Sequence, residues 1–225
     1  MPAKTAQKLK SPERRILLVD DHAIVREGFA EIINNTPDLQ VCGQASAASR
    51  ALEAVGRLRP DLVVVDLSLQ GGSGLELIKQ IKTLHPGLPM LVLSMHDEAL
   101  YAERCLRAGA LGYVMKQEEA ETVMEAVRSV LRGEVHVSEA VRRRMLQNLV
   151  GRQLAEDQTG ISHLSDREIE VFQLIGEGRT TRQIAQKLQL SLSTVETHRA
   201  HIKEKLNLRN AVELMRAAVE WATRR

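Results

Sequence analysis

Aromatic side chains are nearly absent from this sequence of 225 residues, where Phe, Tyr and Trp together make up 2%. A core must therefore be filled by interdigitating Leu, Val, Ile, Ala and Met rather than by stacked rings. Cysteine is as scarce. Cys42 and Cys105 lie at no disulfide-like or metal-ligand spacing and both fall in apolar segments, which predicts small core residues in a reducing compartment. No apolar run approaches the roughly 20 residues that cross a bilayer. Met1-Pro2-Ala3-Lys4 opens a polar, basic tail over 1–13 where a secretory signal would carry an apolar core. A cytoplasmic protein with no membrane partner is expected. The chain also lacks a phosphate-cradling loop, because Gly71-Gly72-Ser73-Gly74 has neither the spacing nor the lysine of a Walker A sequence. It reads instead as a flexible turn, with Ser73 and Glu76 capping the helix that follows.

Net charge is low as well, at +2, but it is unevenly spread. Residues 14–133 carry 13 Lys/Arg against 16 Asp/Glu, whereas residues 161–225 carry 11 against 8. An acidic first half and a basic second half suggest two domains with different partners. On charge alone, a nucleic-acid surface and an ordinary solvated surface are equally good explanations of the basic half.

From Ile16 to about Arg132, apolar runs alternate with amphipathic stretches. Strands are predicted near 16–20, 40–45, 62–66, 90–94 and 112–115, and helices near 22–34, 47–58, 74–85, 98–108 and 118–132. Unbroken Val/Leu/Ile runs fit strands covered on both faces, and the alternation argues for a parallel, doubly wound sheet. Function in such sheets gathers at the carboxyl ends of the strands. Four of the runs end there in chemistry: Ile16–Val19 in Asp20-Asp21, Leu62–Val65 in Asp66, Met90–Leu93 in Ser94, and Leu111–Met115 in Lys116.

Any one of these carboxylates could simply cap its strand, but the ordered set is hard to explain that way. Asp20, Asp21 and Asp66 held together repel one another unless a cation joins them, and an oxygen-only donor set favours Mg²⁺. With the cation and Lys116 neutralising charge on phosphoryl oxygens, Asp66 can act as a nucleophile towards phosphorus, and Ser94 can donate to the transferred group. His22 has no second His or Cys at ligand spacing and reads as a helix-start residue.

Residues 134–160 lose the alternation and read as a linker with a short helix, Glu139 to Val150, whose Arg142-Arg143-Arg144 suit a solvated face. Beyond Leu164 the pattern is helical only. Ser165/Glu168, Thr180/Gln183 and Ser193/Glu196 have capping-box spacing, Gly178 is a stop, and Asn207 stands where a left-handed C-cap residue belongs. A short helix, the tight segment Gln189–Leu192 and a polar-faced helix over 193–206 form the layout of a helix-turn-helix. Val195, Ile202 and Leu206 should face inward. Thr197, His198, Arg199, His201, Lys203 and Lys205 should be exposed, where donors and cations oppose phosphate. His198 and His201 lack acidic or cysteine partners in sequence, which argues against zinc.

The strings Ile16-Leu17-Leu18-Val19-Asp20-Asp21-His22, Val65-Asp66-Leu67 and Ala108 through Lys116 resemble a response-regulator receiver domain. Leu164-Ser165-Asp166-Arg167-Glu168, Ile184-Ala185 and Thr194-Val195-Glu196-Thr197-His198-Arg199 resemble the output domain of the NarL/FixJ, LuxR-type family. The resemblance covers all but the tail and the linker. It implies a flavodoxin/CheY-like doubly wound receiver of five parallel strands over 14–133, then a small all-α four-helix helix-turn-helix domain over 161–225. It also implies a DNA-binding transcription regulator switched when a sensor histidine kinase phosphorylates Asp66. Asp21, Asp66 and the Ser68 carbonyl would ligate Mg²⁺, with Asp20 acting through water. Ser94 and Tyr113 would be the switch pair, the ring turning inward as the hydroxyl moves, and Lys116 would pair with the phosphoryl group. Double-stranded DNA would meet Glu196, Thr197 and Ala200 at base edges, with Arg199, Lys203 and Lys205 nearer phosphates. The active form would be a homodimer using Val212, Met215 and Val219 of the last helix, although that apolar stripe suits an intradomain core equally well.

Two positions leave the family pattern. Leu69-Gln70 replaces the usual Met-Pro, which loosens the turn beside Asp66 and would alter phosphorylation lifetime. Glu196 stands where relatives often carry a basic residue; it can complete the Ser193 capping box or accept from cytosine N4. Two rival readings remain. One is a receiver that works without phosphorylation. The other is an aspartate-nucleophile phosphohydrolase, which would need an acid where Leu67 and Ser68 stand.

Overall fold

A computed structural model describes residues 13–69, 72–149 and 160–223. The expected tail up to residue 12, Gln70 of the unusual turn, Gly71, and the linker stretch 150–159 lie outside the described residues. Two compact units divide between Val141 and Arg142.

The first unit is a five-stranded parallel sheet. Its strands are β1 (Arg14–Val19), β2 (Leu39–Ala45), β3 (Leu62–Val65), β6 (Met90–Ser94) and β7 (Gly112–Met115), in the order β2-β1-β3-β6-β7. Between β3 and β6 a small antiparallel pair, β4 (Ser68–Leu69) and β5 (Gly72–Ser73), closes the turn after Asp66. The helices are α1 (Ala23–Asn34), α2 (Ala48–Leu58), α3 (Gly74–Leu84), α4 (Glu98–Ala108) and α5 (Ala120–Leu131). The central strands are buried on both faces: Ile16, Leu17, Leu62, Val63, Val65, Leu91 and Val92 are fully inaccessible. Alternation splits them. Ile16, Leu18, Leu62, Val64, Leu91, Leu93 and Val114 pack with Ala30 and Ile33 of α1 and Val123, Val127 and Val130 of α5, and the intervening residues face the other layer. Each such Val, Leu or Ile side chain contributes about 1.5–3 kcal/mol by leaving water.

Register brings the strand ends level. Val19 pairs with Val65, Val65 with Val92, and Ser94 with Met115. Asp20, Asp66 and Lys116, each one residue past its strand, therefore meet Ser94 at one edge. The sheet order reverses direction between β1 and β3, and such a switch point opens a crevice at the strand ends.

The structure corrects several expectations. Ser73 is the N-cap of α3, but its side chain makes no capping bond. A methyl at the next residue, Gly74, would land on the Asp66 carbonyl oxygen, so glycine is needed there for α3 to approach β3. Cys105 is buried as expected, but Cys42 is only half-buried. The segment expected to begin the linker packs on the first unit. His136 bridges to Gly112, Val137 and Val141 are buried, and the Ser138 hydroxyl donates to Glu98 Oε1 at 2.7 Å. A single bridge has no periodicity, so no pattern announced it. Helix α6 (Glu139–Leu149) follows, with Arg142, Arg143 and Arg144 exposed.

The second unit holds a 3-10 turn (Ile161–His163) and helices α7 (Asp166–Gly176), α8 (Thr181–Leu188), α9 (Leu192–Lys205) and α10 (Ala211–Thr223). Ser165/Glu168 and Thr180/Gln183 form complete capping boxes. The third expected box does not form. Ser191 is the N-cap of α9 and accepts from the Thr194 amide at 3.0 Å, which leaves Ser193 inside the helix. Ser191 has Thr194 and not Glu or Gln three residues on, so its capping left no box signature in the sequence. Asn207 adopts the left-handed conformation at φ 54°, as its position predicted. Ile169, Phe172, Ile175, Ile184, Val195, Ile202, Leu214 and Ala218 are buried, but Leu206 is only half-buried.

Candidate functional site

Each acidic residue at the strand ends is held differently. The Asp66 amide donates to the Val19 carbonyl at 2.8 Å, continuing the β1–β3 ladder, and the side chain is 3% exposed. Asp20 is also buried; its Oδ1 accepts from the His22 amide at 2.8 Å, in the turn that leads into α1. Lys116 Nζ lies 2.7 Å from Asp20 Oδ2 and 2.7 Å from Asp66 Oδ2, with its own side chain 4% exposed. One ammonium thus serves two carboxylates.

Two other oxygens of the cluster accept no hydrogen bond. Asp66 Oδ1 and Asp21 Oδ1 are buried and make no hydrogen bond among the described residues. The His22 ring nitrogen Nδ1 comes within 2.8 Å of Asp21 Oδ1 as an ion-pair contact, at an angle that makes no hydrogen bond. One ligand atom from each of Asp20, Asp21, His22 and Asp66 can be chosen so that all lie within 4.8 Å of one another. Burial holds the Asp21 carboxyl above its usual range; Asp66 and Asp20 add to the rise, and His22 and Lys116 offset only part of it. Burying carboxylate oxygens without partners is costly unless a cation is bound between them. The donor set fits a hard divalent cation. His22 is the N-cap of α1, the role its sequence position suggested.

The opposite wall is a hydrogen-bond chain that centres on a residue sequence reasoning missed. His96 donates its amide to Ser94 Oγ at 3.4 Å and accepts from the Tyr113 hydroxyl on its carbonyl at 2.7 Å. Its ring Nε2 lies 2.9 Å from Ser68 Oγ, and the ring packs on Tyr101 with centroids 4.8 Å apart. The Tyr113 ring is already inside at 1% exposure, and burial raises its phenol pKa, which keeps it a hydrogen-bond donor. Ser94 is fully buried. His96 follows a strand end by two residues and belongs to no motif, so only the fold could reveal it. Arg26 was missed for the same reason; its guanidinium donates to the Asp20 carbonyl at 2.6 Å and to Gln44 Oε1 at 3.0 Å. Leu69 is buried in β4 beside the site.

In the second unit, α9 presents Glu196, Thr197 and Ala200 outward, as expected. Glu196 Oε1 accepts from Thr181 Oγ1 of α8 at 2.9 Å, and its Oε2 lies 3.7 Å from Arg199 Nε. It therefore ties the two helices of the motif and does not serve Ser193. Several expected phosphate-facing groups are otherwise engaged. The Arg199 side chain is only 15% exposed, Lys203 is half-buried, and His198 has a buried, unpartnered Nδ1 whose burial lowers the ring pKa. Lys205 Nζ donates to Glu168 Oε2 at 2.7 Å. Burial alone would raise the Glu168 carboxyl, but hydrogen bonds from Lys205 and Ser165 outweigh it and hold the pKa below the ordinary range. A buried carboxylate beside α9 was not legible in a sequence where Glu168 already had a capping role. On α10 the apolar stripe divides. Leu214 and Ala218 face the core, whereas Val212, Met215 and Val219 are exposed.

Comparison with known proteins decides the lineage. Residues 16–128 match the family described as "Response regulator receiver domain", and residues 162–218 match "Bacterial regulatory proteins, luxR family". The chain belongs to the LuxR-type response regulators. It is 36% identical over 211 residues to the oxygen regulatory protein NreC of Staphylococcus epidermidis, an alignment that covers 92% of this chain and 97% of that protein. A LuxR-family two-component response regulator from Aurantimonas sp. SI85-9A1 superposes with a TM-score of 0.57 at 33% identity, covering 61% of this chain and 99% of that one. RcsB from Salmonella enterica serovar Typhimurium, bound to promoter rprA in the presence of phosphomimetic BeF3-, superposes with a TM-score of 0.66 at 25% identity, covering 92% and 98%. This response regulator is accordingly a DNA-binding transcription regulator with a receiver domain, and its acidic cluster is compatible with a divalent metal site. Among the described residues no helix is long and apolar enough to cross a membrane.

Proposed function

We propose that this response regulator is switched by phosphorylation of Asp66 in a Mg²⁺-dependent transfer from a sensor histidine kinase, and that the phosphorylated form binds double-stranded DNA as a homodimer in the cytoplasm. The observation that carries the reading is the pair of buried oxygens that accept no hydrogen bond, Asp66 Oδ1 and Asp21 Oδ1, in a cluster where a lysine already holds the second oxygen of Asp66. Asp21, Asp66 and the Ser68 carbonyl would hold the cation, with Asp20 acting through water. Bound there, the ion would supply charge neutralisation on the transferring phosphoryl oxygens.

Asp66 provides the nucleophile. A carboxylate oxygen forms the new O–P bond as the N–P bond of the kinase phosphohistidine breaks, and the imidazole leaves with the electron pair. Lys116 pairs with the phosphoryl group as it arrives, and the Ser94 hydroxyl donates to it. Tyr113, already inward on the His96 carbonyl, holds the loop after β6 in the arrangement that phosphorylation stabilises. The residues after Asp66 are Leu67 and Ser68, which supply no acid for a steady phosphohydrolase cycle, and this supports a signalling site over a hydrolytic one. RcsB, captured on promoter DNA with a phosphomimetic, supports the same logic here. Helix α9 would enter the major groove, and the exposed Val212, Met215 and Val219 would meet their copies in the dimer.

The transfer has a direct readout. Intact-protein mass spectrometry with acetyl phosphate and Mg²⁺ should show the gain of one phosphoryl group, lost when EDTA replaces Mg²⁺ and lost in Asp66→Asn. Phosphorylation that persists in Asp66→Asn would place the acceptor elsewhere and end this reading.

A further inference from the structure

We propose that Glu196 is the specificity-determining residue of α9, and that it selects a cytosine in each DNA half-site by accepting from the N4 amino group. The proposal rests on the reading of α9 as the groove-entering helix and adds to it the base that the helix seeks. Glu196, Thr197 and Ala200 lie at spacings of one, three and four residues and so share one exposed face of α9. None of them offers a donor to a base. The Glu196 carboxylate is acceptor-only. The Thr197 hydroxyl already donates to the Ser193 carbonyl at 3.0 Å, and Ala200 presents a methyl. The Glu196 side chain is 61% exposed, yet it is oriented, because Thr181 Oγ1 holds Oε1 at 2.9 Å while Oε2 faces the Arg199 guanidinium at 3.7 Å without a hydrogen bond.

The base edges then sort themselves. Guanine presents N7 and O6, and thymine presents O4, all acceptors that repel a carboxylate. Adenine presents an amino group, but N7 stands beside it and opposes the second carboxylate oxygen. Cytosine offers N4–H₂ with no acceptor next to it in the groove. The methyls of Thr197 and Ala200 are suited to thymine methyl groups on the flanking pairs. A negative charge near DNA is otherwise a loss, since phosphates dominate non-specific affinity. The contact must therefore be compensated by base selection.

The test is selection of binding sites from a randomised duplex library by the full chain, treated with acetyl phosphate and Mg²⁺. The wild type should enrich one cytosine per half-site by about fivefold or more over the other bases. Glu196→Gln should move that single position to adenine, because an amide can donate to N7 while accepting from N6. Glu196→Ala should flatten the position and leave its neighbours unchanged. If both variants select the wild-type motif, or lose affinity equally on all sequences, Glu196 is only a tie between α8 and α9 and the inference falls. If the wild type enriches no motif, the reading of α9 as the DNA-binding helix falls with it.

Discussion

Replacing Lys116 with methionine is expected to destabilise the receiver by about 3–5 kcal/mol in EDTA, the usual cost of stranding a buried charge. The reason is the geometry at the strand ends. One buried ammonium lies 2.7 Å from each of Asp20 Oδ2 and Asp66 Oδ2, while Asp21 stands in the same cluster with its carboxyl already pushed upward by burial. Methionine fills similar volume, so packing changes little and the loss is electrostatic. Two features identify the cause. Millimolar Mg²⁺ should restore much of the stability, because a cation can take over neutralisation. Asp66→Asn in the same chain should restore part of it as well, since neighbouring charges couple in double-mutant cycles. Urea unfolding curves of the four variants, with and without Mg²⁺, read all of this. A change under about 1 kcal/mol for Lys116→Met, insensitive to Mg²⁺, would mean that water already screens the site.

Asp21→Asn should act in the opposite sense on stability and far more strongly on chemistry. At neutral pH the ionised Asp21 carboxyl works against the fold, because its pKa is raised by burial and by Asp66 and Asp20. An uncharged isostere removes that cost, so the metal-free receiver should unfold at a higher urea concentration than the wild type. The same change alters one of the two buried carboxylate oxygens of the cluster that accept no hydrogen bond. Phosphorylation by acetyl phosphate at fixed Mg²⁺ should slow by about 100-fold or more, the range for losing one preorganised group that stabilises the transition state. Raising Mg²⁺ should recover part of the rate. A variant that is stabilised yet phosphorylated at the wild-type rate would remove Asp21 from the cation site.

The receiver was legible because its strands are covered on both faces and so appear as unbroken aliphatic runs that end in charged or hydroxyl residues. Asp20, Asp66, Ser94 and Lys116 could be brought together on paper, since parallel strands in register deliver their next residues to one edge. His96 and Arg26 could not, because they act through backbone carbonyls and amides that no side-chain pattern marks. The start of α9 was misjudged for a related reason. Ser191 and Ser193 both stand before helix-forming residues, and only the path of the turn after Gln189, at φ 52°, decides which one caps. Burial on α9 was the weakest inference. Period and polarity suggested that Arg199 and His198 are exposed, but helices packed at an angle cover polar side chains too, and Glu168 draws Lys205 back towards the core.

The central claim is that Asp66 governs the affinity of α9 for DNA. Fluorescence anisotropy on a selected duplex, at one fixed salt concentration, measures it directly for the wild type and Asp66→Asn, each with and without acetyl phosphate and Mg²⁺. The account predicts that the phosphodonor tightens wild-type binding by about 5- to 150-fold, the usual range of coupling between two sites, and leaves Asp66→Asn unchanged. Equal affinities in all four conditions, or a phosphodonor response that survives in Asp66→Asn, would contradict it.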